Sequence, residues 1–344
     1  MREIYPPHYA TFHCIAGACP DSCCKEWEIV VDAESVEKYQ MVSGELGDRL
    51  RQAMTIDADG DVIFQEHEKR CPFWNVQQLC DIHGELGEAA LCETCRQFPR
   101  VTQDYGDFIE YDISPACPEA ARLLMELMPE QWWLSENDCP EVTGSLPEYD
   151  EKIMQQRKDQ RRTLFACLQD TSVPALKQMS HCLALVTQWV DFSEDTSNAV
   201  CTEDDILSFL NGCEVLTEDW KMILTQAREN PEVSLFYDAA LDKEIRLFGM
   251  DILYRYYFRT AYSDDPFAIL LPMQLAAFAV CTVLTLTAHM KMQDAERRLR
   301  IWQLFVKEIE YDGGNLEELE WQLETNAAFS PAALRAYFES IGGV

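Results

Sequence analysis

The sequence predicts a mainly α protein: a cysteine-rich α+β N-terminal metal-cluster domain with short strands, followed by an all-helical C-terminal domain. Three observations predict it. Nine of the 15 cysteines fall within the first 117 residues, in grouped spacing. Residues 134–148 are polar and turn-rich, which marks a linker. Beyond them apolar residues recur three or four apart, the period of an amphipathic helix. The expected layout is therefore a cysteine-rich unit over 1–133, a linker over 134–148 and a helical unit over 149–344.

Taken in order, 27–31 (Trp-Glu-Ile-Val-Val) reads as a strand, and Asp32 as the N-cap of a helix running through Tyr39. Asp59-Gly60 predicts a tight turn before a strand at 62–64. Residues 108–113 predict a third strand, and Ser114-Pro115 opens a helix carrying Ala120, Leu123, Leu124 and Leu127. After the linker, helices are expected over 149–168, 173–190, 203–210, 217–227, 233–262, 266–290, 295–309, 316–323 and 331–341. The stretch 267–290 carries no Asp, Glu, Lys or Arg and is long enough to span a bilayer. Pro272, Gln274, several threonines and His289 interrupt it, so it is expected as a buried central helix rather than a membrane segment.

The formal net charge is −32. That argues against a nucleic-acid partner, because neutralising phosphates takes clustered Lys and Arg. It suits a solvated surface, a cationic small ligand or a lysine-bearing substrate. No apolar run precedes the first cysteine, so the expected compartment is the reducing cytoplasm, where thiols stay free. Cys139, Cys167, Cys182, Cys201, Cys213 and Cys281 lie in or near helix-like sequence and read as small buried hydrophobes.

The N-terminal thiols come in three blocks: Cys14, Cys19, Cys23 and Cys24; then Cys71, Cys80, Cys92 and Cys95; then Cys117. Clustered thiolates repel unless a cation deprotonates and shares them, so the pattern points to a metal. Four thiolates satisfy either tetrahedral zinc or an iron–sulfur cubane, and spacing alone does not choose. His13, His67 and His83 lie close by as hydrogen-bonding bystanders. The three-then-two spacing of radical S-adenosylmethionine enzymes, the paired histidines of zinc fingers and the glycine-rich phosphate loops do not occur.

The run Phe12-x-Cys14-Ile-x-Gly17-x-Cys19-x3-Cys23-Cys24-x2-Trp27-x-Ile29-x2-Asp32 resembles the start of the flagellin lysine-N-methylases, the FliB family. These are related to a wider cysteine-rich group of zinc- or iron-chelating proteins. Cys71-Pro72-Phe73, Leu79-Cys80-x-Ile82, Leu86-Gly87-Glu88, Cys95-Arg96-x-Phe98-Pro99-Arg100 and Cys117-Pro118-Glu119-Ala120-Ala121 continue the likeness across roughly residues 8–130. Two features depart from it. Lys25-Glu26 replaces a small residue and Gly, and Cys92 stands where a polar residue is usual. The resemblance implies a metal set of Cys14, Cys19, Cys23, Cys24, Cys71, Cys80, Cys95 and Cys117, a 4Fe-4S cluster with zinc as the alternative, and methyl transfer from S-adenosylmethionine to flagellin lysines. A non-enzymatic zinc- or iron-binding protein would share the same cysteine blocks.

No nucleotide loop places the methyl donor. A sulfonium favours aromatic faces and carboxylates, and the richest such patch is Asp251, Tyr254, Arg255, Tyr256 and Tyr257, with Tyr262 downstream. These are the expected catalytic residues. Arg96 and Arg100 are expected to balance charge near the thiolates or to anchor local turns.

Overall fold

A computed structural model of the protein describes residues 2–138, 151–191, 199–230, 233–259 and 265–342. Its N-terminal part contains β1 (Arg2–Tyr5), α1 (Ala33–Met41), α2 (Gly44–Ala53), β2 (Met54–Ile56), β3 (Val62–Phe64), α3 (Asp81–Leu86), α4 (Glu93–Gln97), β4 (Arg100–Asp104), β5 (Phe108–Ile113), α5 (Pro118–Glu126) and β6 (Ser135–Asp138). The remainder is helical: α6 (Glu151–Gln169), α7 (Ala175–Trp189), α8 (Glu203–Gly212), α9 (Glu218–Glu229), α10 (Ala239–Tyr256), α11 (Phe267–His289), α12 (Ala295–Phe305), α13 (Gly313–Thr325) and α14 (Pro331–Gly342). The fold is mainly α, as expected.

Local chemistry sets several boundaries. The Asp32 carboxylate accepts from the Ser35 amide at 2.9 Å and caps α1. Gly60 takes φ +94° in the β2–β3 turn, a backbone region open to glycine. The Asp238 carboxylate accepts from Leu241 N at 2.7 Å, so α10 starts at Ala239 rather than at 233. Tyr256 ends that helix, and Tyr262 lies outside the described residues. α5 starts at Pro118, three residues beyond the end of the expected Ser114-Pro115 opening. Cys117 takes the N-cap position, and its amide closes a turn onto the Ser114 carbonyl at 3.1 Å. Residues 27–31 do not form a full strand; they meet β3 through Val31 N to Val62 O at 2.7 Å and Phe64 N to Ile29 O at 3.1 Å.

A four-stranded sheet runs in the order β4-β5-β1-β6, with β1 parallel to β5 and the other neighbours antiparallel. Ser135–Asp138, expected in the linker, instead form its edge strand β6; the rest of that stretch, with Cys139, lies outside the described residues. β1 is four residues long, and its pairing partners lie more than a hundred residues away, so no local period announces it.

Two main cores result. Ile29, Val31, Tyr39, Leu50, Phe64 and Phe73 centre the cysteine-bearing layer. The larger core joins the helices to the sheet through Ile4, Phe108 and Trp132, so β1 and β5 pack with the helical half. At its middle lies α11, with mean hydropathy 2.2 and 94% of its most apolar window buried. Two of its polar side chains are tied to neighbouring helices. Gln274 Nε2 donates to the Leu323 and Phe329 carbonyls, and Thr285 Oγ1 meets the Tyr337 hydroxyl at 2.6 Å. This helix is protein core, as its threonines and Pro272 predicted.

A single π-turn, Val306–Glu310, follows α12 and turns three charged side chains inward. Lys307 Nζ reaches Glu26 at 2.9 Å, and Glu308 accepts from Leu216 N and Thr217 N at 2.8 and 2.9 Å. Glu310 clasps Arg255. Arg300 on α12 adds a pair with Asp21 at 2.9 Å. The loop between Cys19 and Trp27 is thereby fastened to the helical body.

Candidate functional site

The cysteines sit where backbone amides point at sulfur. Ala16 N donates to Cys14 Sγ at 3.4 Å. The same arrangement recurs from Asp21 to Cys19, from Phe73 to Cys71, from Ile82 and His83 to Cys80, and from Glu119 and Ala120 to Cys117. Cys80, Cys92 and Cys117 are the N-caps of α3, α4 and α5, so three thiols occupy helix N-termini where negative charge is favoured. Burial works the other way and pushes the Cys71 and Cys117 thiols up to about 12, despite those amides. Amide donors aimed at sulfurs that burial keeps protonated suit thiolates whose charge a bound cation would balance.

The sulfurs fall into two neighbourhoods. Ionising Cys71 is opposed by Cys80, Cys92 and Cys23, and ionising Cys95 by Cys92, Cys24 and Cys71. Cys117 feels Cys19 and Cys14. Cys23 faces both groups, since Cys19 and Cys80 also feel it. Cys23 is held down to about 7, first by a hydrogen bond from the adjacent Cys24 thiol, whose own pKa rises in consequence. All the described cysteines are free thiols. The thiols therefore form two neighbouring sets rather than one, and Cys92, which the family pattern set aside, belongs to the larger. Cys92 is buried and hydrogen-bonds with Cys95, and the Cys92-x2-Cys95 spacing was the signal for it.

The three histidines near the cysteines are exposed, in keeping with bystanders, and the Arg100 guanidinium lies 5.2 Å from the Phe12 ring centre. Cys182, Cys201 and Cys281 are buried in the helical half, and Cys167 and Cys213 are half-buried.

The tyrosine patch on α10 is interior. Tyr254, Tyr256, Tyr257 and Asp251 are at most 4% exposed, and their polar atoms are largely committed to neighbouring segments. The Tyr254 hydroxyl lies 2.9 Å from the Tyr111 carbonyl and 3.1 Å from that of Ile4, tying α10 to β5 and β1. Tyr256 donates to Glu310 at 2.9 Å, and Tyr257 points at Gln160. Arg255 Nε donates to Asp251 at 2.9 Å while its far end is held by Glu310. The patch expected to meet the donor and substrate is therefore a brace between elements. Aromatic and charged residues at helical spacing look alike in sequence whether they line a site or a core.

An open cleft lies instead beside β1, β5 and α6. It holds about 380 Å³ and is lined by Phe108, Phe258, Trp133, Lys158, Arg2 and Glu136, among others. Lys158 Nζ sits 4.0 Å from the Phe108 ring centre, and Trp133 is 58% exposed at the rim. Aromatic faces beside cationic and anionic side chains suit a zwitterionic ligand with a flat ring. The period-based reading missed this cleft because its walls come from segments far apart in the chain.

Fold and site together define a mainly helical protein whose N-terminal thiols converge from separate segments. Over 159 residues the chain is 31% identical to the lysine-N-methylase of Salmonella typhimurium, a match covering 42% of this chain and 38% of that protein; the lysine-N-methylase of Salmonella choleraesuis matches to the same extent. It is 29% identical over 140 residues to the flagellar biosynthetic protein FliU of Salmonella muenchen, covering 36% of this chain and 79% of that one. Over that stretch the chain is similar to proteins named lysine-N-methylase, and it spans about two-fifths of the length of the two it matches. No family model matches it, and no solved structure does.

Proposed function

We propose that the chain is an S-adenosylmethionine-dependent protein-lysine N-methyltransferase acting on flagellin, with a 4Fe-4S cluster held by its N-terminal cysteines. The observation that carries this reading is the 31% identity to two proteins named lysine-N-methylase. The flagellar name of the third relative supports the substrate.

The cluster would take four of the N-terminal thiolates, a donor set that tetrahedral zinc would also accept. When bound, the group neutralises the thiolates and cross-links the loops that carry them.

Methyl transfer requires a neutral amine, whose reference pKa is about 10.4. The like charges of Lys158 and Arg2 would lower that value for a lysine entering the cleft, and the Glu136 carboxylate at the rim, 3.1 Å from Arg2, can take the proton. The amine nitrogen then attacks the methyl carbon. A C–N bond forms as the C–S bond breaks, and the sulfur leaves with the electron pair as neutral S-adenosylhomocysteine. In the cleft, Lys158 and Arg2 would hold the donor carboxylate while Trp133 stacks on the adenine.

The test is incubation of anaerobically purified protein with methyl-labelled S-adenosylmethionine and flagellin, followed by mass mapping. Label on lysine is expected. A metal-loaded, folded protein that transfers none would leave the non-enzymatic metal-binding reading in its place.

A further inference from the structure

His8, Asp112 and Asp251 come from the N-terminal turn, from β5 and from α10, and meet in the interior. One ligand atom from each lies within 4.8 Å of the others. All three residues are at least nine-tenths buried, with relative exposures of 1%, 3% and 0%. Both ring nitrogens of His8, Oδ1 of Asp112 and Oδ1 of Asp251 have no hydrogen-bond partner, and Asp112 Oδ2 has only the Arg255 guanidinium at 3.5 Å. An orphaned buried polar atom costs about 1–3 kcal/mol, so four in one pocket call for a common partner.

We propose that this pocket binds a divalent cation of the first transition row, at a site built without any cysteine. Its donors are one imidazole and two carboxylates, which suits manganese, iron or zinc in the divalent state. Charge favours the same occupant. Asp112, Asp251 and Glu310 surround a single guanidinium, that of Arg255, which lies 3.5 Å from Asp112, 2.9 Å from Asp251 and 3.2 Å from Glu310. Three carboxyl groups share one buried cation, and a dication in the gap would balance the charge they carry when ionised.

The surroundings also orient the donors. Arg255 Nε engages Oδ2 of Asp251, leaving Oδ1 free toward the gap, as an outer partner of a metal-bound carboxylate does. The Trp132 ring packs against His8 with centroids 5.4 Å apart and fixes the imidazole. The site is independent of the methyltransferase reading. Its consequence is to pin the N-terminal turn to β5 and α10.

Manganese(II) is the probe, because it favours carboxylate and imidazole over thiolate. Titration of the full-length protein, followed by loss of the free-ion electron paramagnetic signal, is expected to show one strong site per chain. Spin-echo spectra of the bound ion should carry nitrogen modulation from one imidazole. Asp251→Asn and His8→Gln should weaken binding by at least about tenfold, whereas Cys71→Ser should not. No uptake by wild-type protein, uptake without nitrogen modulation, or unchanged affinity in folded Asp251→Asn protein would each overturn the proposal in favour of a trapped water or a shared proton. Should the variants fail to fold, the wild-type nitrogen modulation decides alone.

Discussion

Glu110 on β5 and Arg161 on α6 meet as a two-pronged pair inside the protein. Arg161 Nη1 donates to Oε2 at 3.0 Å and Nη2 donates to Oε1. The two residues are 51 positions apart, one in the sheet and one in the first helix after the expected linker. The Arg161 guanidinium also lies 3.9 Å from the Phe258 ring centre, at the floor of the open cleft. One ion pair thus couples the sheet, the helical body and the cleft wall.

Removing half of a buried pair strands the other charge, at about 3–5 kcal/mol. Glu110→Gln is expected to lower the urea midpoint accordingly. The double change Glu110→Leu with Arg161→Met should recover most of that loss, because neither charge is then left alone in the interior.

Asp32 gives a pH signature. Its carboxylate caps α1 through Ser35 N and also accepts from Glu93 N at the start of α4, at 2.8 Å. Partial burial pushes its pKa up, but the amides of Glu93 and Ser35 outweigh this and hold it below the usual carboxylate value. A depressed folded-state pKa contributes stability that is present above the unfolded value, about 3.9, and fades as pH falls through the folded one. Asp32→Ala should cost about 1 kcal/mol at neutral pH, and the gap to wild type should close below about pH 4. Asp32→Asn should keep much of the cap and lose the pH dependence. Urea unfolding at several pH values checks both.

The two sulfur neighbourhoods should separate by mutation. Cys71→Ser and Cys80→Ser are expected to reduce metal content and visible absorption at the group containing Cys24, Cys92 and Cys95. Cys117→Ser should spare that group. Elemental analysis of anaerobically purified variants measures the split, and parallel loss in all three variants would show a single shared centre.

Cleft variants address the donor. Stacking of a base on an aromatic side chain is worth about 1–3 kcal/mol, so Trp133→Ala should weaken S-adenosylmethionine binding about tenfold or more by calorimetry. Lys158→Met should weaken it as well. Tyr254→Phe, which removes a hydroxyl facing two backbone carbonyls, should lower stability by about 1 kcal/mol and leave donor affinity unchanged.

The sequence by itself determined the helical class, the Asp32 cap, the turn at Gly60 and the interior fate of 267–290. Each rests on neighbours within a few turns of chain or on residue chemistry that leaves few alternatives. Tertiary structure decided the rest. It placed β1 between β5 and β6, drew Cys92 in beside Cys95, buried the tyrosines of α10 and set His8 against Asp112 and Asp251. Those outcomes depend on which distant segments meet. Neither periodicity nor spacing records that, because a helical face shows that it is covered but not by what.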